Sequence, residues 1–409
     1  MSGVHGFVFG KMGGKYVTKK EDKDGHILVV GGAGSGKTSC IAIPSLLAWR
    51  EPVFCIDIKG ELYQHSRHKR ENIKVFDPLN ADSCGYDPYY LLQGSDNPAQ
   101  EARAIAQAIV PLPPNTKEPF WIESAQNIFT AAIVHYSALG LSFLETVEQI
   151  QSIVPLALIQ ELRESSERSA RFCVNSLGNM NEQTLSSIMA ELGRNIVPFV
   201  TDKSLISALS RENNIMPEDL EFGSDVFICI PEHLLRQWKN LLTLIVSQFL
   251  RHFEQRPNMT ARPILFLLDE FPRLGKIEEI TDGLATLRSK KITICPIIQS
   301  LAQLDLIYGA VARRVIADNC AYKAILNATD ADSQEYFSRL VGTHEKLKTS
   351  EDMRFETITG FVAGRGVSKS SEEKRKLKPE KLATLTDIAL FTPFGFFRVE
   401  KSPYYKEKI

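Results

Sequence analysis

Short apolar runs, each closed by glycine or charge, punctuate the N-terminal part of the chain. HILVV (26–30) runs into glycines and reads as a strand, and the helical stretch TSCIAIPSLLAW follows it. Pro44 inside that stretch removes a backbone donor and predicts a kink or a short first helix. PVFCIDI (52–58) and IKVFDP (73–78) read as two further buried strands. Strand alternating with helix implies a parallel sheet covered on both faces, and hence an α/β fold. The Gly- and Lys-rich residues before HILVV predict an arm or a short hairpin.

From about residue 98 to 218 strand signals almost vanish. WIESAQNIFTAAIVHYSAL (121–139) spaces its apolar residues as a helix does, and PLALIQELRESS and NEQTLSSIMAELGRNIVPFV continue that period. Phe120, Trp121 and Phe129 follow it, which predicts core positions rather than a base-stacking platform. The Pro-rich PLPPNTKEP (111–119) marks the entry, so 111–219 reads as an all-α domain set between 1–110 and 220–409 of one α/β domain. Strands return at DVFICI (225–230), PILFLLDE (263–270), ITICPII (292–298) and AYKAIL (321–326), with the amphipathic LLTLIVSQFLRHF between the first two. The polar stretch 343–382 predicts a mobile loop, with ETITGFV as an edge strand, and GFFRVEK (395–401) reads as the last strand. No internal repeat is visible.

The chain has 409 residues, 44% hydrophobic and 24% charged, which excludes disorder or a coiled coil as a whole-chain description. Its 48 Lys and Arg against 49 Asp and Glu exclude a uniformly basic nucleic-acid binder, though not a local basic lining. Seven widely spaced cysteines, none as Cys-x-x-Cys, imply reduced thiols and no zinc site. The first residues hold no apolar stretch of signal-peptide length, and no run approaches the roughly 20 apolar residues that span a bilayer.

Chemistry enters with Gly31-Gly32-Ala33-Gly34-Ser35-Gly36-Lys37-Thr38, which fits G-x-x-x-x-G-K-[ST] between a strand and a helix, with Ser39 next. Glycines let backbone N–H groups curl around phosphates, Lys37 is placed to reach the β/γ-phosphates of ATP, and the Thr38 hydroxyl to coordinate Mg²⁺. ILFLLDE ends in Asp269-Glu270, a second Mg²⁺ anchor and a carboxylate able to polarise water. Gln299, just after ITICPII, is a candidate γ-phosphate sensor or simply a strand-ending polar residue. Asp57, Lys59, Gly60 and Glu61 close another strand, on the side where open parallel sheets bind ligands. Arg273 and Arg288 are arginine-finger candidates, Arg288 opening the run Arg288-Ser289-Lys290-Lys291. The runs at 65–70, Arg313-Arg314 and Lys374-Arg375-Lys376 could meet a phosphate backbone or be solvated surface. The eight histidines are scattered and read as structural or surface residues.

GHILVVGGAGSGKTS, VFCIDIKGELY, KVFDPLN, FWIESAQNIFTAAI, RPILFLLDEFPRLGKI, ICPIIQSLAQLDLIYG and IADNCAYKAIL together resemble the coupling proteins of conjugative type IV secretion, the TraG/TraD class. The resemblance implies a RecA-like ATPase domain split by an all-α domain and assembled as a homo-hexamer. It implies recruitment of a relaxase and its single-stranded DNA to a secretion channel, with accessory and channel proteins as partners and ATP and Mg²⁺ as cofactors. By motif matching it gives Lys37 and Thr38 the phosphate and Mg²⁺ roles, Asp269 and Glu270 the second acidic motif, Gln299 the sensor and Arg288 the position of an inter-subunit finger. Such proteins usually begin with a transmembrane region, absent here; the chain is then a trimmed form, or a separate membrane protein anchors it to the inner face of the cell membrane. Two other readings remain open: a ring translocase for double-stranded DNA, and a nucleotide-gated docking platform with little hydrolysis.

Overall fold

A computed structural model describes residues 3–113, 116–258, 261–355 and 362–406, and within these the side chains of 346–372 are not described. Two antiparallel strands, β1 (Phe7–Met12) and β2 (Lys15–Lys19), open the chain as a hairpin. β3 (Ile27–Val30) leads through the glycine loop into a turn of π-helical geometry at Lys37–Ala42 and the short α1 (Ile43–Ala48), with Pro44 in its first turn. β4 (Val53–Asp57), α2 (Glu61–Ser66) and β5 (Ile73–Phe76) follow.

The chain then leaves the sheet. α3 (Pro98–Ile109), α4 (Phe120–Ala138), α5 (Phe143–Ser152), α6 (Pro155–Arg163), α7 (Arg168–Val174), α8 (Glu182–Ile196), α9 (Pro198–Thr201), α10 (Lys203–Leu209) and α11 (Pro217–Glu221) come before any further strand. The excursion is stitched shut at its base. Gly85 N–H donates to Asn213 O at 2.8 Å, and Ile215 N–H to Gly85 O at 2.9 Å. α3 packs on α4 and also on α12 (Leu235–Glu254), the helix that follows β6 (Asp225–Cys229).

β7 (Ile264–Leu268), α13 (Glu278–Leu287), β8 (Ile292–Ile298), α14 (Leu301–Asn319, broken at Gly309), β9 (Tyr322–Ile325) and α15 (Ala331–Val341) complete the alternation. The main sheet ends with β12 (Ile388–Thr392) and β13 (Gly395–Val399); its order is β13-β12-β9-β3-β8-β7-β4-β6-β5. All pairs from β9 to β5 are parallel, while β12 pairs antiparallel with both β9 and β13. Such a sheet is buried on both faces, and β3, β4, β7 and β8 are buried at every residue. One core joins the sheet to α12, α13 and the helical excursion; a second covers the other face under α1.

The N-terminal residues take the hairpin alternative rather than a free arm: Phe7 and Phe9 are buried in the second core, and Lys19 reaches Thr293 Oγ1 at 3.0 Å with Trp49 beneath it. Two expectations change. The polar stretch after α15 is not a loop. β10 (Thr343–Phe355) and β11 (Val362–Arg375) pair as a long two-stranded ribbon outside the main sheet. Its register is held by backbone pairing, which needs no apolar face, so composition alone reads it as unstructured; of the suggested edge strand ETITGFV, all but Val362 lies outside the described residues. Phe129 is fully buried, but Phe120 is 44% exposed, since it opens α4, where it meets Trp121 edge-on. The seven cysteines are all free. No described helix is long and apolar enough to cross a membrane.

His26 is fully buried where α13 meets the sheet. Its Nε2–H donates to Leu284 O while Nδ1 accepts from Ile294 N–H at 3.0 Å, so both nitrogens are used by the neutral ring. Burial pushes its pKa down to about 4. The unfolded ring takes a proton near pH 6.5, so the unfolded state binds more protons between about 4 and 6.5 and stability falls as pH drops through that window. Denaturant unfolding at pH 7 and pH 5 should therefore differ by about 2 kcal/mol more in the wild type than in His26→Gln. An equal pH response in the two proteins would show that His26 does not titrate in this way.

Candidate functional site

Because the strands from β3 to β9 are parallel, their C-terminal ends share one edge, and the chemistry gathers there. Gly31–Gly36 leave β3 at its centre. Gly36 lies at φ 99°, a conformation that side chains with a Cβ rarely adopt. A Cβ on Gly31 would sit 2.4 Å from Ser35 Oγ, so a side chain there would displace the Ser35 hydroxyl. The loop then turns into the helical residues Lys37, Thr38 and Ser39, whose first backbone N–H groups lack intrahelical partners and face the loop. Ala33 and Gly34 are exposed at its tip.

Lys37 is only 8% exposed. Its ammonium donates to Gly31 O at 2.6 Å and Gly32 O at 3.3 Å, so it is folded back on its own loop. Burial lowers its pKa, and the charges of Glu270 and Asp269 oppose that shift. Ser35 Oγ is buried with no hydrogen-bond partner among the described residues.

β8 lies between β3 and β7, so Gln299 stands between the glycine loop and the acidic pair. Its Nε2 donates to both carboxylate oxygens of Glu270, at 3.0 and 3.3 Å. Gln299 N–H is in turn held by Gln303 Oε1 at 3.0 Å. Glu270 itself sits in the left-handed region at φ 46°, a strained position for a residue with a Cβ and one frequent at functional sites. Asp269 is 7% exposed, and burial, then Glu270 and Asp57, push its carboxyl up to about 6. Asp57 closes β4, beside β7; its Oδ2 accepts from Tyr63 N–H at 2.8 Å, which fixes the start of α2. Lys59, Gly60 and Glu61 sit on that same edge, and the Lys59 charge is felt by Lys37.

This edge is short of positive charge around Asp269 and holds an unpartnered hydroxyl beside a lysine bonded only to carbonyls. A triphosphate with a divalent cation supplies what each lacks, so the residues fit ATP and Mg²⁺. Thr38, where the loop turns helical, and Asp269, just past β7, are the side chains that could hold the cation, directly or through water.

The arginines separate. Arg273 follows Glu270 on the same edge and pairs with Glu232. Arg288 is exposed before β8 begins, at the opposite edge. The seven residues of β8 then put on the order of 20 Å between it and Gln299. The basic runs are mostly engaged within the chain. Arg70 is clamped by Asp225 and by the carbonyls of Leu46, Trp49 and Glu51. Arg313 pairs with Asp305 and lies over Tyr336, and Arg375 pairs with Glu335. Sequence reasoning missed Gln303 and Asn327; the latter's Oδ1 accepts from Gly32 N–H at 2.6 Å. The motif spacing signals neither, because Asn327 follows β9, whose place beside β3 is set only by the sheet order.

The family described as type IV secretory system conjugative DNA transfer matches residues 3–409. The chain belongs to that family. Protein VirD4 of Agrobacterium fabrum is 25% identical over 431 residues, covering 99% of this chain and 63% of that protein. The chain thus spans less than two thirds of the VirD4 length. Among solved structures, the plasmid coupling protein TrwB in complex with the non-hydrolysable ATP analogue ADPNP superposes with a TM-score of 0.71 at 15% identity, covering 98% of this chain and 90% of TrwB. TrwB in complex with ADP and Mg²⁺ gives 0.69 at the same identity and coverage. The fold is therefore the RecA-like α/β fold with its mostly parallel sheet.

Lys37→Ala should abolish nucleotide binding, measured by titration with a fluorescent ATP analogue, while the melting temperature without nucleotide stays within a few degrees of wild type. Binding that survives the substitution would remove Lys37 from the phosphate site.

Proposed function

We propose that this chain is the ATPase portion of a coupling protein. It binds ATP and Mg²⁺ at the glycine loop, hydrolyses the nucleotide, and uses the cycle to bring relaxase-bound single-stranded DNA to a type IV secretion channel. The observation that carries the reading is the hydrogen-bonded Gln299–Glu270 pair beside the Lys37 loop, within a chain of the conjugative DNA transfer family.

The side chains divide the work. Lys37 leaves the Gly31 and Gly32 carbonyls for the β/γ-phosphates, where its charge is better compensated. Mg²⁺, when bound, would be held by Thr38 and Asp269 and would supply positive charge against the charge developing on the phosphate. Glu270 orients the attacking water and accepts its proton, and Gln299 fixes the carboxylate by bonding both of its oxygens. On this reading a γ-phosphate would alter that bond, so Gln299 would report nucleotide state to α14, which begins two residues on.

Among the described residues no arginine bonds to Lys37, Asp269, Glu270 or Gln299, and Arg273 on the same edge is paired with Glu232; an arginine is what the constellation would still need. We propose that a neighbouring copy provides it, as Arg288 in a homo-hexameric ring with the nucleotide between subunits. The all-α residues 111–219, which carry none of the phosphate-site side chains, are the part we assign to meeting relaxase and accessory proteins. A separate membrane protein or a preceding segment would hold the ring at the inner face of the membrane.

Glu270→Gln keeps the shape of the site and loses the base. Purified protein should bind ATP as the wild type does and turn it over at least 100-fold more slowly. Near-wild-type phosphate release would remove Glu270 as the water-activating group. The ring makes a separate prediction: wild-type turnover per chain should rise with protein concentration and with added single-stranded DNA. Arg288→Ala should lose that turnover but retain nucleotide affinity. Concentration-independent hydrolysis by a species that sizes as a monomer would contradict a trans-acting arginine.

A further inference from the structure

One peptide group in the glycine loop is gripped from both ends. The Gly31 carbonyl accepts from Lys37 Nζ at 2.6 Å, and the N–H on the other side of the same peptide, that of Gly32, donates to Asn327 Oδ1 at 2.6 Å. In a trans peptide these two groups point in opposite directions, so Lys37 and Asn327 hold the plane between them. Neither glycine has a Cβ to restrict the peptide, so its orientation rests on these bonds and on Gly31 N–H, which donates to Ile298 O at 3.1 Å.

Asn327 is itself held in place. It follows β9, whose ladder to β3 extends through Leu326 N–H to Val30 O at 2.8 Å. Ala328 N–H donates to Leu382 O at 2.8 Å, and Gln334 Nε2 returns to Ala328 O at 3.0 Å. Asp330 caps α15 by accepting from Ser333 N–H at 2.8 Å. Ser333 Oγ then accepts from Leu301 N–H at 3.0 Å, at the start of α14 and two residues beyond Gln299. The turn that carries Asn327 is therefore bonded to the strand, to α15 and to the segment that carries Gln299.

We propose that Asn327 is a positioning residue for the phosphate loop. Its role becomes decisive when nucleotide binds. On the reading above, Lys37 then turns to the phosphates and releases the Gly31 carbonyl, and Asn327 is the side chain that still holds the Gly31–Gly32 peptide. A loop kept in its binding shape pays less ordering entropy on binding, so the carboxamide contributes to affinity without touching the ligand.

The inference rests on the proposed nucleotide site, and the experiment separates the two. Asn327→Leu keeps the size and removes the acceptor; Asn327→Asp keeps an acceptor oxygen in the same place. Titration with a fluorescent ATP analogue and with ADP, at two salt concentrations, should show Asn327→Leu weakening both nucleotides about tenfold. Asn327→Asp should stay within about threefold of wild type at the higher salt, where its added charge is screened. The midpoint of denaturant unfolding without nucleotide should move little in Asn327→Asp, and Asn327→Ala serves as the acceptor-free variant if the leucine does not fold. Wild-type affinity in a folded acceptor-free variant, or equal weakening by aspartate and by the acceptor-free variant at high salt, would overturn the positioning role. If Lys37→Ala also left affinity unchanged, the nucleotide site itself would be wrong; if Lys37→Ala abolished binding while the acceptor-free variant did not weaken it, only the role of Asn327 would fall.

Discussion

Everything functional here depends on strands running the same way. Seven parallel strands put their C-terminal ends on one edge, where carbonyl ends, short turns and helix starts alternate. Helices laid over both faces bury the hydrogen-bonded ladder and exclude water from the strands, but they cannot cover the edge. Residues from sequence positions as remote as 37, 57, 269, 299 and 327 meet there because each directly or closely follows a neighbouring strand. The charge pattern follows from the same geometry: Asp269 is crowded by Glu270 and Asp57 because β4 and β7 are adjacent, and the charge of Lys37, across β8, opposes that crowding.

That crowding makes the edge an unfavourable place for protein charge alone. A buried carboxylate pushed up to about 6 and a lysine whose pKa burial lowers are both costs of holding the site without its ligand. The Gln299–Glu270 bond and the Asn327–Gly32 bond limit how far the edge can relax to relieve them. Stability elsewhere, in the all-buried strands and the two apolar layers, lets the chain tolerate this local disfavour.

Much of this was legible in the residues. The parallel strands show as apolar runs ending in glycine or charge, since a strand buried on both faces has no polar side to blur the pattern. Lys37, Thr38, Asp269 and Glu270 are readable because the roles proposed for them require fixed residue types at fixed spacing. β12 was not read, because five residues at the antiparallel end of the sheet carry too little periodicity. The β10–β11 ribbon was misread because its pairing is a backbone property written in neither polarity nor period. Asn327 and the bond from Gln299 to Glu270 depend on which strands are neighbours, and adjacency is a property of the folded sheet rather than of the local sequence.

The stitched base of the helical excursion also bears on how the sheet is assembled. β5 and β6 pair Ile73 with Asp225, two positions separated by the whole excursion. Closing an unstructured segment of that length costs on the order of 4–5 kcal/mol before a single ladder bond is made. Once the helices have packed, the bonds from Gly85 to Asn213 and from Ile215 back to Gly85 bring the two strand-bearing segments side by side. Pairing then becomes a nearly local event. If the helices pack first, the excursion would act as a template for the β5 edge of the sheet, and the outermost parallel strand would dock late, on a schedule set by helices that contribute no strand of their own.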